Sequence, residues 1–178
     1  MAHKALAIMT IILGASISVL YLYYMPSNLA LSITDPPPTP YSSSITGIYV
    51  NITKIEIHAA GADNNSGWHT MGTDISLNLM SLLSTSKLFG TTQLPPGRYS
   101  EIRFFTSQAV ITIKGVNTAY TIPSGNQTGI KVPVTGGGFH IYGGETMTVQ
   151  LDLSFNNSDI LNNPTMTLTP VATAKIVS

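Results

Sequence analysis

The sequence predicts an all-β fold: an Ig-like or related antiparallel β-sandwich of about 8–10 strands, preceded by one N-terminal transmembrane helix. Three observations carry this. From residue 45 onward, apolar and polar residues alternate at period two, with Gly and Pro as punctuation. Nowhere do strands alternate with amphipathic helical segments, which excludes a parallel α/β sheet. An uncharged apolar run fills residues 5–24, and no second run of that kind occurs. The chain therefore divides into a helix (1–24), a Pro-rich tether (25–44) and an extracellular sandwich (45–178).

The first run contains Leu6, Ile8, Ile11, Ile12, Leu13, Val19 and Leu20, and as a helix it spans about 30 Å, the thickness of a bilayer core. Tyr21, Tyr23 and Tyr24 close it where aromatic rings favour the membrane interface, and Pro26 ends the helix. Lys4 is the only nearby charge, and it places the N-terminus on the cytoplasmic side. Three fates remain open: retained anchor, secretory signal, or trimmed precursor. For the last, Lys4-Ala5-Leu6 before a long apolar stretch resembles the short signals cut by archaeal prepilin-type peptidases. Gly14, Ala15, Ser16 and Ser18 offer the small-residue face that membrane helices use against partners.

In the tether, Asp35-Pro36-Pro37-Pro38-Thr39-Pro40 reads as an extended, stiff segment. Before it, Leu29, Leu31 and Ile33 alternate with small polar residues as a strand does. That strand either folds into its own domain or is donated to the open edge of a neighbour.

Beyond residue 45, Ile48, Val50 and Ile52 alternate, and the phase then slips to Ile55 and Ile57, predicting a bulge near Thr53-Lys54. A polar turn covers 59–67, Trp68 opens a return strand, and Ile75, Leu77 and Leu79 alternate again. Ser81–Leu88 is the one stretch read as a short helix. Pro95-Pro96-Gly97 is a turn before strands at 99–105 and 109–113. Further strands are expected at 119–122, 130–134, 139–142, 147–155 and 166–176. Gly136-Gly137-Gly138 lacks the context of a phosphate-binding loop and reads as a flexible turn.

Composition excludes several classes. Only 9% of the 178 residues are charged, eight basic against eight acidic, so no strong phosphate-binding stripe can form and nucleic acid is excluded as a partner. The apolar fraction of 43% is too high for a disordered chain, and the absence of cysteine removes disulfides and thiolate chemistry. Solubility falls instead to 18 Ser, 22 Thr and 11 Asn, whose hydration does not change with pH. Such a surface suits an acidic exterior.

From Leu31 to Ile176 the order of motifs resembles a widespread bacterial and archaeal secreted domain family of unassigned function. The residues carrying it are Ile33-Thr34-Asp35-Pro36, Ile48-Tyr49-Val50, Ile55-Glu56-Ile57-His58 and Gly67-Trp68-His69. They continue with Leu94-Pro95-Pro96-Gly97-Arg98-Tyr99, Ile102-Arg103, Ile122-Pro123-Ser124-Gly125, Gly129-Ile130-Lys131, Leu151-Asp152-Leu153 and Leu168-Thr169-Pro170-Val171. The resemblance implies a surface-exposed, often membrane-tethered β-sandwich and supplies no catalytic residues.

The residues support no catalytic, cofactor or metal site. His58, His69 and His140 lack metal-ligand spacing, and no serine sits in a nucleophile elbow. Asp152 is expected to pair with Arg98 or Arg103, or to assist a cross-link between an Asn and Lys54 or Lys131. Sequons at Asn51, Asn64, Asn126 and Asn156 predict N-linked glycans on an exterior domain, Asn51 only if its side chain faces out. The functional expectation is a non-enzymatic structural or adhesive surface protein, a subunit of an archaeal pilus-like or donor-strand filament. Its partners are the membrane, copies of itself or integral membrane subunits. The alternatives are an accessory outer subunit of a membrane complex, or a carbohydrate-binding domain using Trp68, Tyr99 and Tyr142.

Overall fold

The computed structural model describes residues 2–35, 40–63, 65–123 and 125–177; the side chains of residues 2–8, 10, 17, 22 and 23 lie outside that description. Residues 36–39, the middle of the segment expected to be extended and stiff, fall outside it too. The chain opens with α1 (Ala2–Tyr24), apolar on every side, and the described side chains from Met9 to Tyr24 are all exposed. Among the described residues no helix is long and apolar enough to cross a membrane. Within α1 the described side chains are those at positions 9, 11–16, 18–21 and 24, so the membrane reading rests on the sequence of the whole run.

Two residues after α1, β1 (Ser27–Thr34) begins, which corrects the expected tether. Leu29, Leu31 and Ile33 are buried, and the strand lies inside its own chain's sheet rather than free for donation. The sandwich therefore starts at Ser27, not at residue 45.

The larger sheet is built on β2 (Ile45–Ala59), whose fifteen residues alternate apolar-in over Ile48, Val50 and Ile52 and, after the slip, Ile55 and Ile57. One of its edges takes β3 (Trp68–Asn78). Between Ile52 and Lys54 the register shifts: Ile52 faces Ile75 while Lys54 faces Gly72, so the extra residue sits on β3. The other edge takes β5 (Gly97–Phe105) against Lys54–Ala59 and β6 (Gln108–Ile113) against Ile45–Val50. β5 and β6 are two halves of one antiparallel partner, broken at Thr106-Ser107. The break is held by Gly125, whose carbonyl accepts the Thr106 N–H at 3.1 Å. A Cβ on Gly125 would lie 2.1 Å from the Thr106 oxygen, so no larger residue fits there. β7 (Val116–Thr121) flanks β6, while β8 (Ile130–Val132) and β9 (Phe139–Ile141) flank β5.

The smaller sheet contains β4 (Lys87–Leu94), β10 (Thr146–Ser154) and β11 (Val171–Ile176), in the order β11-β10-β1-β4. β1 runs parallel to β10 and antiparallel to β4, because β1 and β10 both enter from the helix end of the domain. The sandwich is thus mixed by one pairing, and eleven strands are described rather than the expected 8–10. Along one side β11 reaches the larger sheet: Ala174 bridges Val134, and its N–H donates to the Pro133 carbonyl at 2.9 Å. Between the sheets lies one core that includes Phe104, Phe155, Leu29, Leu31, Ile57 and Leu94.

Three elements differ from expectation. Ser81–Leu88 is not a helix: a single 3-10 turn (Leu79–Leu82) is capped by Asn78, whose side chain accepts the Met80 N–H, and β4 begins at Lys87. Leu88 is exposed, which removes the apolar stripe a helix would need. Trp68 through Asn78 forms one strand, and a short α2 (Asn157–Leu161) follows β10 where none was expected.

Candidate functional site

The most distinctive region is the end of the sandwich where α1 leaves. β1, β10, β3 and β5 start there and β2 and β4 end there. The Asn28 N–H donates to the Glu145 carbonyl at 2.8 Å, tying β1 to the turn between β9 and β10. A Cβ on Gly144 would approach the Met25 sulfur at 3.9 Å, so this turn lies against the helix exit. Leu20, Tyr21, Tyr24, Met25 and Pro26 line an apolar hollow of about 640 Å³ beside it.

The same end gathers the domain's histidines and much of its aromatic surface. Paired strands place His58 opposite Trp68, Arg98 opposite His140, and Tyr99 opposite Phe139. His58 is buried; its Nε2 lies 3.2 and 3.0 Å from the carbonyls of Asp63 and Ser66, which requires an N–H there, and its ring sits 4.5 Å from Trp68. His140 meets the edge of Tyr142 at 4.2 Å, and both are exposed.

Along the outer face of the larger sheet the neighbouring cross-strand positions carry charge. Lys54, Glu56, Glu101, Arg103 and Lys131 are five of the sixteen charged residues of the chain. Lys54 pairs with Glu56 at 2.7 Å and lies 3.9 Å over the Phe105 ring. Glu101 bonds Arg103 and meets Lys131 at 3.6 Å, and the Arg103 guanidinium covers Trp68 at 4.1 Å. These contacts neutralise one another in a mostly half-buried ladder. They also correct two expectations: Arg103 pairs with Glu101, not with Asp152, which belongs to the other sheet, and both lysines meet carboxylates rather than an asparagine.

The carbohydrate platforms fare unequally. Tyr99 is 3% exposed, stacked at 5.4 Å on Phe139, with its hydroxyl donating to the Pro95 carbonyl at 2.7 Å. Burial pushes that hydroxyl's pKa up. Trp68 is half-buried beneath Arg103, leaving only Tyr142 widely exposed, beside a cleft of about 90 Å³ formed with Pro96, Gly97, Ile141 and Gly143. That volume is well below a small-molecule site.

At the opposite end, sequence reasoning missed an acidic pair, buried Asp35 beside half-buried Asp152. Asp35 follows Thr34, which faces Asp152 across β1 and β10. Asp35 is fully buried: the Tyr41 hydroxyl donates to its Oδ1 at 3.2 Å, while its Oδ2 and the Asp152 Oδ1 are buried with no hydrogen-bond partner among the described residues. Burial raises the Asp35 pKa to about 7, against the lowering effect of the Tyr41 bond, and neighbouring Asp152 adds to the rise. Burial also raises Asp152, with Lys175 opposing. Tyr41 in turn accepts the Phe155 N–H at 3.1 Å, and its own hydroxyl is pushed up by burial. Asn157 completes the clamp by accepting the Ser42 N–H at 2.9 Å and donating to the Pro40 carbonyl. The signal in the sequence was the acid at the end of an apolar strand, Ile33-Thr34-Asp35, which reads equally well as a solvated strand end.

Residues 27–170 match a family described as a domain of unknown function, DUF4382. The chain belongs to this family. No curated protein and no solved structure matches it. The DUF4382 match starts at the first residue of β1, in agreement with the burial of that strand, and ends one residue before β11. α1 lies outside the match.

Within the DUF4382 domain the predicted sequons are scattered. Asn126 is exposed on the loop after β7; Asn51 faces outward, with its amide donating to Asp74 at 3.1 Å. Asn156 is half-buried and its amide donates to Asp159 at 3.4 Å. Asn64 lies outside the described residues. In α1, Leu6, Ile8 and Tyr23 also fall outside the described side chains, whereas Ile11, Ile12, Leu13, Val19, Leu20, Tyr21 and Tyr24 are exposed. Among the described residues no three His, Asp or Glu side chains come together as a metal-holding group.

Proposed function

We propose that this protein is a non-enzymatic cell-surface component, with α1 in a bilayer and the DUF4382 sandwich displayed on the outer side. The observation that carries the reading is a helix without charge from residue 5 onward, its described side chains exposed, joined directly to a β-sandwich that has its own core. Its 23 residues measure about 34 Å, enough to span hydrocarbon. The two described serine hydroxyls suit that setting: Ser16 donates to the Ile12 carbonyl and Ser18 to the Gly14 carbonyl, both at 2.9 Å, so neither needs water. The role is structural or adhesive, as a subunit of a surface filament assembled through the helix.

Alkaline carbonate extraction of native membranes tests the anchor: the protein stays in the pellet, and release into the supernatant overturns the reading. The mass of the detergent-extracted particle then tests assembly, with open-ended filaments expected. A stoichiometric complex with integral proteins would favour the accessory-subunit reading. For that reading, Gly14 has no described atom within 4 Å of where a Cβ would stand, which leaves room for a close helix neighbour.

A further inference from the structure

We propose that the helix-exit end of the sandwich is a membrane-contact surface that rests among lipid headgroups, so that the domain stands on the bilayer instead of being held away from it. This rests on α1 lying in the bilayer. A twenty-residue tether between helix and domain would leave the distance free, but only Met25 and Pro26 separate Tyr24 from β1. Two residues reach at most about 7 Å. The next chain segments in space are then forced to the same level: Glu145, bonded to Asn28, and Gly144 beside Met25.

The side chains at this level match the interface. Tyr142 is 65% exposed and paired edge-on with exposed His140, giving an apolar ring body with a polar tip. At the foot of α1 lies the apolar hollow lined by Leu20, Tyr21, Tyr24, Met25 and Pro26, where the upper part of an acyl chain would lie. The opposite end points away. The turn between β6 and β7 lies at the far end of β2, whose fifteen residues measure roughly 45 Å from end to end.

The chain has no cysteine, so single spin labels report one place each. The full chain is reconstituted in phosphatidylcholine vesicles containing a nickel-chelating headgroup lipid. Labels are placed through Tyr142→Cys and His140→Cys at the exit end, Val116→Cys at the far end, and Leu13→Cys in α1. Val116 is 64% exposed and, like the two exit positions, accepts a substitution without opening the core. The expected result is oxygen access at position 13 and several-fold stronger nickel relaxation at 142 and 140 than at 116. Oxygen access at 13 with relaxation at 142 and 140 no stronger than at 116 overturns this proposal and leaves the anchor standing. A water-exposed label at 13 overturns both.

Discussion

Replacing Asp35 by Asn should change how stability depends on pH more than any other single substitution. The side chain is fully buried, one carboxylate oxygen has no partner among the described residues, and its pKa stands near 7 instead of 3.8. Between these two values the folded protein holds a proton that the unfolded chain has lost, so stability falls as pH rises through that window. Below about 4 both states are protonated and the effect vanishes; above about 7 it is complete. A shift of about three units sets a ceiling of about 4 kcal/mol, and raised Asp152 acts in the same direction. Asp35→Asn keeps an acceptor for the Tyr41 hydroxyl and removes the titration. Urea unfolding followed by circular dichroism from pH 4 to pH 8 measures it. Wild type should lose up to about 4 kcal/mol across the range, while the variant keeps only the slope left by Asp152 and melts higher at pH 8, by up to roughly 8–16 °C. Parallel curves for the two proteins, or a wild type that gains stability as pH rises from 4 to 7, would refute the burial argument. The expected slope goes beyond the acid indifference of a hydroxyl-rich surface: the fold is stronger in acid.

Three other outcomes are expected. Leu31→Ala in β1 should cost about 2–5 kcal/mol in denaturant unfolding, since the residue is fully buried between the sheets; a loss under about 1 kcal/mol would mean β1 is dispensable. Gly125→Ala should cost about 1–3 kcal/mol through its clash with the Thr106 carbonyl, read as a lower urea midpoint, and an unchanged midpoint would show that the β5–β6 break is not held there. Intact mass of the native protein should show a glycan that Asn126→Gln removes, because Asn126 is the described sequon whose amide is neither half-buried nor bonded to an acid; an unmodified Asn126 beside a modified Asn156 would reverse that ranking.

Much of the strand pattern was readable because a side-chain period of two is a local property. Ile48, Val50, Ile52, Ile55 and Ile57 declared both the strand and its slip, and Trp68, Tyr99 and Met147 fell where strands run. Lys87–Leu94 does not declare itself a strand, since Leu82, Leu83 and Leu88 are also spaced as on a helix; only burial separates inward Leu82 from outward Leu88. The expected Arg103–Asp152 pairing does not form because sheet membership is not local: the two residues carry similar strand patterns but lie in different sheets.

An all-β domain behind an apolar helix, with a surface hydrated by hydroxyls and amides, is legible in the residues alone. Those properties follow from composition and short-range periodicity. The tertiary structure alone decided that Leu29, Leu31 and Ile33 begin the sandwich, and that Asp35 and Asp152 share a buried corner. It also decided that Tyr142 sits beside the helix exit. Each depends on which strands lie next to each other, and β1 with β10 joins residues more than a hundred positions apart. No local pattern encodes a pairing over that distance; the burial of a common core selects it.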